Sequence, residues 1–366
     1  MLNKWKDLLE KLMITENLEE AEIVEILDAQ NPELEKKLFQ LADQKRKEYV
    51  GDEVHLRGLI EFSNFCRKNC LYCGLRRDNK NLKRFRMSPQ EILAVAEKAH
   101  RLGIQTIVLQ SGEDLYYDAK TLAKLIWKIK KLGVAVTLSV GEREEEEYAL
   151  WKEVGADRFL LKQETFDREL FRKLHPDDDF DQRLHSQQKL MEMGFQTGSG
   201  NIVGLPWQTT RHLAHDIKMF QKMDFDMIGI GPFIPHPSTP LGKCNMNTQL
   251  KLSLTLKTVA LTRILTKNAH IPATTALGTL VAGGRELALR CGANVLMPNL
   301  TPLAYRSSYE IYPGKICIQE NWEACIPCMK KMVEKLGRKV ATDPGHSLKN
   351  RSRVYSQTSG SVFSKS

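Results

Sequence analysis

The 366-residue chain contains no run of eighteen apolar residues, so it offers no candidate transmembrane helix. Its first stretch, MLNKWKDLLEKLMITENLEEAEIVEIL, mixes acids and bases at helical spacing and lacks the uninterrupted apolar core of a secretion signal. A cytoplasmic protein without a membrane partner is expected. In that reducing compartment, clustered cysteines point to metal or redox chemistry rather than to disulfides. A Pro/Gly linker is also missing before residue 340, and nothing in the composition splits the chain before that point. The length exceeds that of a usual single domain, but a βα barrel can reach it as one unit.

Positive charge outside the C-terminus is scarcer than the net +9 suggests. Residues 338–366 hold six bases (Arg338, Lys339, Lys349, Arg351, Arg353, Lys365) against the single acid Asp343, which leaves only about +4 on everything before them. No nucleic-acid partner is expected from so weak a field. The closing stretch, DPGHSLKNRSRVYSQTSGSVFSKS, is polar, rich in Ser and without period, and reads as a flexible tail. The expected organisation is a helical segment over 1–50, a catalytic body over 51–340 and a disordered basic tail over 341–366.

Short β-branched runs alternate with longer amphipathic stretches. Strands are expected at 54–63, 106–111, 135–140, 158–162, 200–205, 227–233, 271–275 and 293–299. Helix-length segments lie between them; one is SPQEILAVAEKAHRLG, with Ser88 as N-cap and Glu91 completing a capping box. Eight β-runs separated by helices predict an α/β fold, a complete eight-stranded parallel βα barrel of TIM type, with the N-terminal helices packed outside. Barrel enzymes act at the C-terminal strand ends. In this chain those ends carry Cys66, Cys70 and Cys73, then QSGED (110–114), then Lys162 and Glu164, then Thr274 and Thr275.

Three of the eight cysteines fall within CRKNCLYCG, at Cys66, Cys70 and Cys73. The spacing C-x3-C-x2-C has no fourth cysteine nearby, and the nearest histidine, His55, belongs to the preceding strand. Structural zinc sites and electron-transfer clusters commonly use four protein ligands. Three ligands suit an iron–sulfur cluster with one iron left open to bind something else. A zinc site completed by a remote residue, or three unligated thiols, is the alternative.

This cysteine pattern, with Tyr72 before its last member, resembles the radical S-adenosylmethionine (SAM) signature. Longer blocks carry a closer resemblance: EFSNFCRKNCLYCGLRRDNKNLKRFRM, TIVLQSGED, GIGPFIPHPSTPL, IPATTALGTLVAGGRELALRCGAN and YPGKICIQENWEACIPC are similar to the FeFe-hydrogenase maturase HydE family over about residues 1 to 340. The resemblance implies a complete barrel, a 4Fe-4S cluster on Cys66, Cys70 and Cys73, and reductive cleavage of SAM to a 5'-deoxyadenosyl radical. It also implies a small organometallic or sulfur-containing substrate, a cysteine-bound iron complex carrying carbon monoxide and cyanide, whose sulfur the radical attacks. The implied partners are the maturases HydG and HydF and a low-potential electron donor.

The same resemblance assigns residues. Ser111, Gly112 and Glu113 match the strand-end contacts to the methionine portion, and Tyr72 of the cysteine motif is a further cofactor-binding position. Arg158, Lys162, Glu164 and Arg183 match charged positions around the methionine and ribose groups, and Tyr309 an aromatic near them. Lys162 departs from the family, which often has Arg there; an ammonium keeps the charge but loses the two-pronged fork. Thr274 and Thr275 match a substrate-binding hydroxyl pair. Cys317, Cys325 and Cys328 resemble an auxiliary iron–sulfur site, 2Fe-2S or 4Fe-4S, with zinc or idle thiols as alternatives. Taken singly, Arg158 and Arg183 could instead be simple ion-pair residues, EREEEE (142–147) a solvated helix start, and His236 a loop residue fixed by its prolines. Cys244 and Cys291 read as packed thiols. The competing functions are a different radical reaction, such as methylornithine-type isomerisation or sulfur insertion, and an iron–sulfur scaffold without turnover.

Overall fold

The β-branched and aliphatic runs supply β1 (Glu53–Ser63), β2 (Thr106–Ser111), β3 (Ala135–Ser139), β4 (Arg158–Leu160), β5 (Gln196–Val203), β6 (Met227–Pro232), β7 (Val295–Leu296) and β8 (Lys339–Val340). They are seen in a computed structural model that describes residues 2–244, 246–320 and 322–349. All pairings are parallel, in the order β6-β5-β4-β3-β2-β1-β7, with β8 beside the start of β1. Every residue of β1 after Glu53 is buried, as a strand covered on both faces by helices outside and side chains inside must be. The Ser88–Glu91 capping box starts the helix Pro89–Arg101, with Ser88 Oγ accepting from the Glu91 amide at 3.2 Å.

The complete eight-stranded barrel does not form. The seven-strand path is a TIM-like partial barrel, and the strand expected at 271–275 is absent. In its place, His270 makes one bridge to Met227 and Pro272 one to Val295. The reason is local: Pro272 has no N–H to donate to a ladder, and Thr274 already caps the helix Thr275–Leu280 through its hydroxyl. The sheet nevertheless curls, because its first six strands, together with Met297 beside β7, line one cavity.

Helices Leu2–Thr15, Glu20–Asp28 and Pro32–Val50 precede β1; the first packs on the third, the second on Thr210–Met223, and the second and third on Thr248–Thr266. The last of these is buried almost all round, sandwiched between that N-terminal layer and the sheet. No helix among the described residues is long and apolar enough to cross a membrane.

The expected tail is corrected over its described part. Residues 341–349 run under the N-terminal strand ends as a strap. Arg158 donates to the Pro344 and Gly345 carbonyls at 2.7 and 2.9 Å, Arg57 to the Gly345 carbonyl at 3.1 Å, and Ser347 to Asp226 at 2.5 Å. Inward-pointing guanidiniums need acceptors, and the strap's main chain supplies them. The remainder of the expected tail, 350–366, lies outside the described residues.

Candidate active site

The loop after β1 is built before any ligand arrives. Asn64 donates to the Lys83 and Ser308 carbonyls at 2.8 and 2.6 Å and accepts from the Phe85 amide at 2.8 Å, which ties both ends of the loop together. Arg84 adds bonds to the carbonyls of Asn64, Leu75, Arg76 and Asn79. The loop turns Cys66, Cys70 and Cys73 into a cavity of about 400 Å³ at the C-terminal strand ends. Burial pushes all three thiols up, Cys73 to about 12. They become thiolate ligands only against a compensating cation, so loading a metal centre releases protons. No other cysteine and no histidine lines the cavity among the described residues. Three soft donors with no fourth therefore fit an iron–sulfur cluster that keeps one position for another ligand.

Tyr72 sits between Cys70 and Cys73 and bonds His175 Nε2 at 2.8 Å; burial drives that imidazole down to about 3, so it is neutral. β2 meets the loop at Gly112. A Cβ there would stand 2.2 Å from the Phe65 carbonyl oxygen and 2.8 Å from Cys66 Cβ, so only glycine lets this strand end approach the cysteine loop. Ser111 Oγ donates to the Gly112 carbonyl at 2.6 Å. Glu113 lines the cavity, but its carboxylate is already engaged: it accepts from Arg67 at 3.0 Å and from the Glu142 amide at 3.1 Å, bracing the cysteine loop.

Beyond β4 stands an acid–base pair, Lys162 Nζ to Glu164 Oε2 at 2.7 Å, both lining the cavity. Glu164 is held at φ +66°, a left-handed conformation fixed by its amide on the Gly200 carbonyl (2.9 Å) and by the Ile202 amide on its own carbonyl (3.2 Å). Below it, buried Asp216 accepts from the Phe166 amide at 2.6 Å and from Asn201 at 3.0 Å. Burial raises the Asp216 carboxyl to about 7. Arg183 reaches the same wall, bonded to Asp178 and, at 3.3 Å, to the Lys162 carbonyl. Burial opposes the Arg183 charge, but Asp178 and Glu142 outweigh it and hold the guanidinium protonated.

The β1 side carries a second pair, Glu61 and Lys315, with Asn299 donating to the other Glu61 oxygen at 2.7 Å. Tyr309 is buried next to it, its hydroxyl accepting from Gln110 at 3.2 Å. Thr274 and Thr275 complete the wall, although Thr274 Oγ1 is also the cap on Leu277 N at 3.4 Å.

One sequence assignment fails. Arg158 stands at the first residue of β4, at the opposite end of the sheet from the cysteines, and takes no part in the cavity. A strand's first residue cannot reach the mouth at its far end. Three charged cavity residues were missed by reading the sequence, Glu61, Lys68 and Lys315, and so were Glu142 and Asp178, which pair with the wall from behind it. Lys68, Glu142 and Asp178 join Glu113 and Arg183 in one charged network, with Lys68 bonded to Asp178 and 3.4 Å from Glu142. The strand-end rule applied to β3 would have found Glu142; it is buried, whereas Glu144, Glu145 and Glu146 of the same acidic run are exposed, as a solvated helix start requires. Lys315 sits in a loop, and nothing in the sequence pointed to it.

Away from the cavity, the ligand atoms of Cys317, Glu320 and Cys325 all lie within 4.8 Å of one another. Cys328 is exposed and outside that group, and Glu320 takes its expected place. His236 is buried, accepts from the Ser238 amide at 3.1 Å and packs on Gly74. Cys291 is buried and Cys244 half-buried.

Comparison with known proteins agrees with this geometry. Residues 60–220 match the model of the radical SAM superfamily. The chain is 55% identical over 350 residues to the FeFe-hydrogenase maturase subunit HydE of Thermotoga maritima, covering 96% of this chain and 98% of that one. The crystal structure of methylornithine synthase (PylB) superposes with a TM-score of 0.80 at 25% identity, covering 91% of this chain and 97% of that one. The maturase HydG from Carboxydothermus hydrogenoformans superposes with a TM-score of 0.74 at 21% identity, over 92% of this chain and 79% of that one, a likeness of fold.

Proposed function

This chain belongs to the family of the FeFe-hydrogenase maturase HydE, radical SAM enzymes that carry a 4Fe-4S cluster and SAM, and we propose that it acts in building the two-iron active-site centre of that hydrogenase. The observation that carries this reading is the set of three half-buried cysteines, with no fourth cysteine or histidine beside them among the described residues, turned into a cavity walled by separate acid–base pairs. Cys66, Cys70 and Cys73 hold the cluster, which when bound supplies the electron that splits the SAM sulfonium to give a 5'-deoxyadenosyl radical. The Ser111–Gly112 backbone receives the methionine ammonium. Arg183 and Lys162 face its carboxylate, and Glu164 is placed for a ribose diol or the ammonium. The Tyr72 and Tyr309 rings exclude water around the reacting region.

The substrate on this reading is a small cysteine-bound iron complex with carbon monoxide and cyanide ligands, supplied by HydG. Its sulfur is the atom attacked, Thr274 and Thr275 meet its polar ligands, and HydF receives the product. The reaction belongs in the cytoplasm, with a low-potential protein as electron donor. Cys317, Cys325 and Glu320 suit an auxiliary metal centre, an iron–sulfur cluster whose further ligand is Cys328 after a local rearrangement. The likeness to PylB supports a second reading, radical isomerisation of a small amino acid, but 55% identity to HydE outweighs it. Anaerobic reconstitution followed by addition of SAM tests the proposal. The reduced cluster spectrum should change on addition, 5'-deoxyadenosine should form, and apo-hydrogenase activation by a HydG and HydF mixture should depend on this chain. Cleavage without any effect on activation would remove the maturase role.

A further inference from the structure

Two of the charge pairs lining the cavity stand on different walls, and the function above uses only one. Lys162–Glu164 follows β4, whereas Glu61 lies on β1, three strands away in the sheet order, and meets Lys315 from a distant loop. Both members of the β1 pair line the cavity, with side chains only 1% and 8% exposed. A buried ion pair is a poor source of stability, because desolvation offsets its Coulomb gain. This pair also leaves bonding capacity unused. Lys315 has three N–H donors, and Glu61 is its one hydrogen-bond partner among the described residues. Glu61 accepts from Lys315 and Asn299, one bond to each oxygen, so each oxygen keeps a lone pair.

We propose that Glu61 and Lys315 form a second amino-acid station, binding the ammonium and carboxylate of an α-amino acid that is the thiolate-bearing part of the substrate. The argument is electrostatic. A lone anion would satisfy Lys315 and strip Glu61 of its partner, and a lone cation would do the reverse. A zwitterion engages both groups and leaves the buried charge balanced. SAM brings one such head group, which the β4 pair and Arg183 take. A second pair in the same cavity calls for a second amino acid. Asn299 fixes the Glu61 carboxylate, and the Tyr309 ring, 5.3 Å from Lys315 Nζ, fixes the ammonium.

This inference rests on the radical SAM reading, and its test separates the two. Cluster-loaded enzyme with SAM bound is titrated with L-cysteine, with cysteamine, which lacks the carboxylate, and with 3-mercaptopropionate, which lacks the ammonium. Wild type should prefer L-cysteine. Lys315→Met should weaken L-cysteine and 3-mercaptopropionate tenfold or more and leave cysteamine as it was; Glu61→Gln should weaken L-cysteine and cysteamine and leave 3-mercaptopropionate as it was. Should either single variant fail to fold with one buried charge unpaired, the double variant Glu61→Gln/Lys315→Met decides, because it leaves no charge behind: it should lose the preference for L-cysteine. Unchanged L-cysteine affinity in the double variant, or a parallel fall in SAM affinity, overturns the second station. Failure of the wild-type enzyme to bind or cleave SAM would overturn the radical SAM reading instead.

Discussion

The two ends of the sheet both bury arginines pointing inward, and they use them in opposite ways. At the C-terminal end, Arg183 faces Asp178 and Glu142 beside a cavity. At the N-terminal end, no carboxylate hydrogen-bonds to Arg57 or Arg158 among the described residues; they meet the main-chain carbonyls of the strap and the Met227 sulfur. A carbonyl satisfies a guanidinium but does not neutralise it, and burial lowers Arg158 to about 10. A buried charge therefore marks a site only where open space and a directly bonded counter-charge accompany it. Without them, it fastens one segment of chain to another.

The sharpest way to break this contrast is at the cysteines. Changing any one of Cys66, Cys70 or Cys73 to Ala should abolish the SAM-responsive cluster and reductive cleavage, read by iron content and 5'-deoxyadenosine yield. Cleavage at the wild-type rate in one of these variants would show that the ligand set is wrong.

The bottom should answer differently. Arg158→Met removes one of two donors from each of the Pro344 and Gly345 carbonyls, which keep Thr106 and Arg57, and should cost about 0.5–1.5 kcal/mol per lost bond in denaturant unfolding, with SAM affinity intact. A stable variant with weakened SAM binding would return Arg158 to the active site.

At the β4 end, Lys162→Ala and Glu164→Gln should each weaken SAM binding by about 1.5–3 kcal/mol, tenfold or more, with the cluster still assembled. Lys162→Arg should preserve affinity. Equilibrium titration decides, and unchanged affinity in both of the first two variants would detach the β4 end from the ligand.

Mild acid should loosen the bottom most. Burial, with Arg57 nearby, lowers His55 to about 4, and burial also lowers His270 well below the usual histidine value. Their stabilisation is complete above about pH 6.5, the value for an unfolded histidine, and is lost as pH falls from there toward 4, at about 1.4 kcal/mol per unit for each group. Burial works to raise the Asp178 carboxyl at the top, but Arg183 and Lys68 hold it low, so its contribution persists until pH falls below the ordinary aspartate value of 3.8. His175, which bonds Tyr72 of the cysteine loop and is lowered by burial to about 3, loses its contribution over the same range, but it stands alone there, whereas His55 and His270 act together at the bottom. Hydrogen exchange at pH 5 should therefore rise more in the strap and at the start of β1 than in the cysteine loop, and the reverse ranking would refute the assignment.

The smallest effect belongs to a third region. Replacing Cys317, Cys325 and Cys328 together with Ala should lower iron content and spare cleavage. Loss of cleavage in a folded triple variant would make that centre catalytic.

The sequence by itself determined what is local. The strand runs, the Ser88 cap, the C-x3-C-x2-C loop and the glycine beside it follow from short-range spacing and sterics, and the loop's chemistry was legible because its three ligands lie within eight residues. Resemblance to a family extended this to the cofactor. The tertiary structure alone decided what depends on distant partners. A strand at 271–275 is prevented by Pro272 and the Thr274 cap, but Arg158 was misplaced because a residue's depth in the sheet is set by strand register and is not written beside it. The strap is polar by composition, and buried guanidiniums contributed by β1 and β4, together with Asp226 and Gln196, make an ordered segment of it. Glu61 and Lys315 are 254 residues apart, and the folding of β1 against a loop near the C-terminus is what turns two unremarkable charges into one pair.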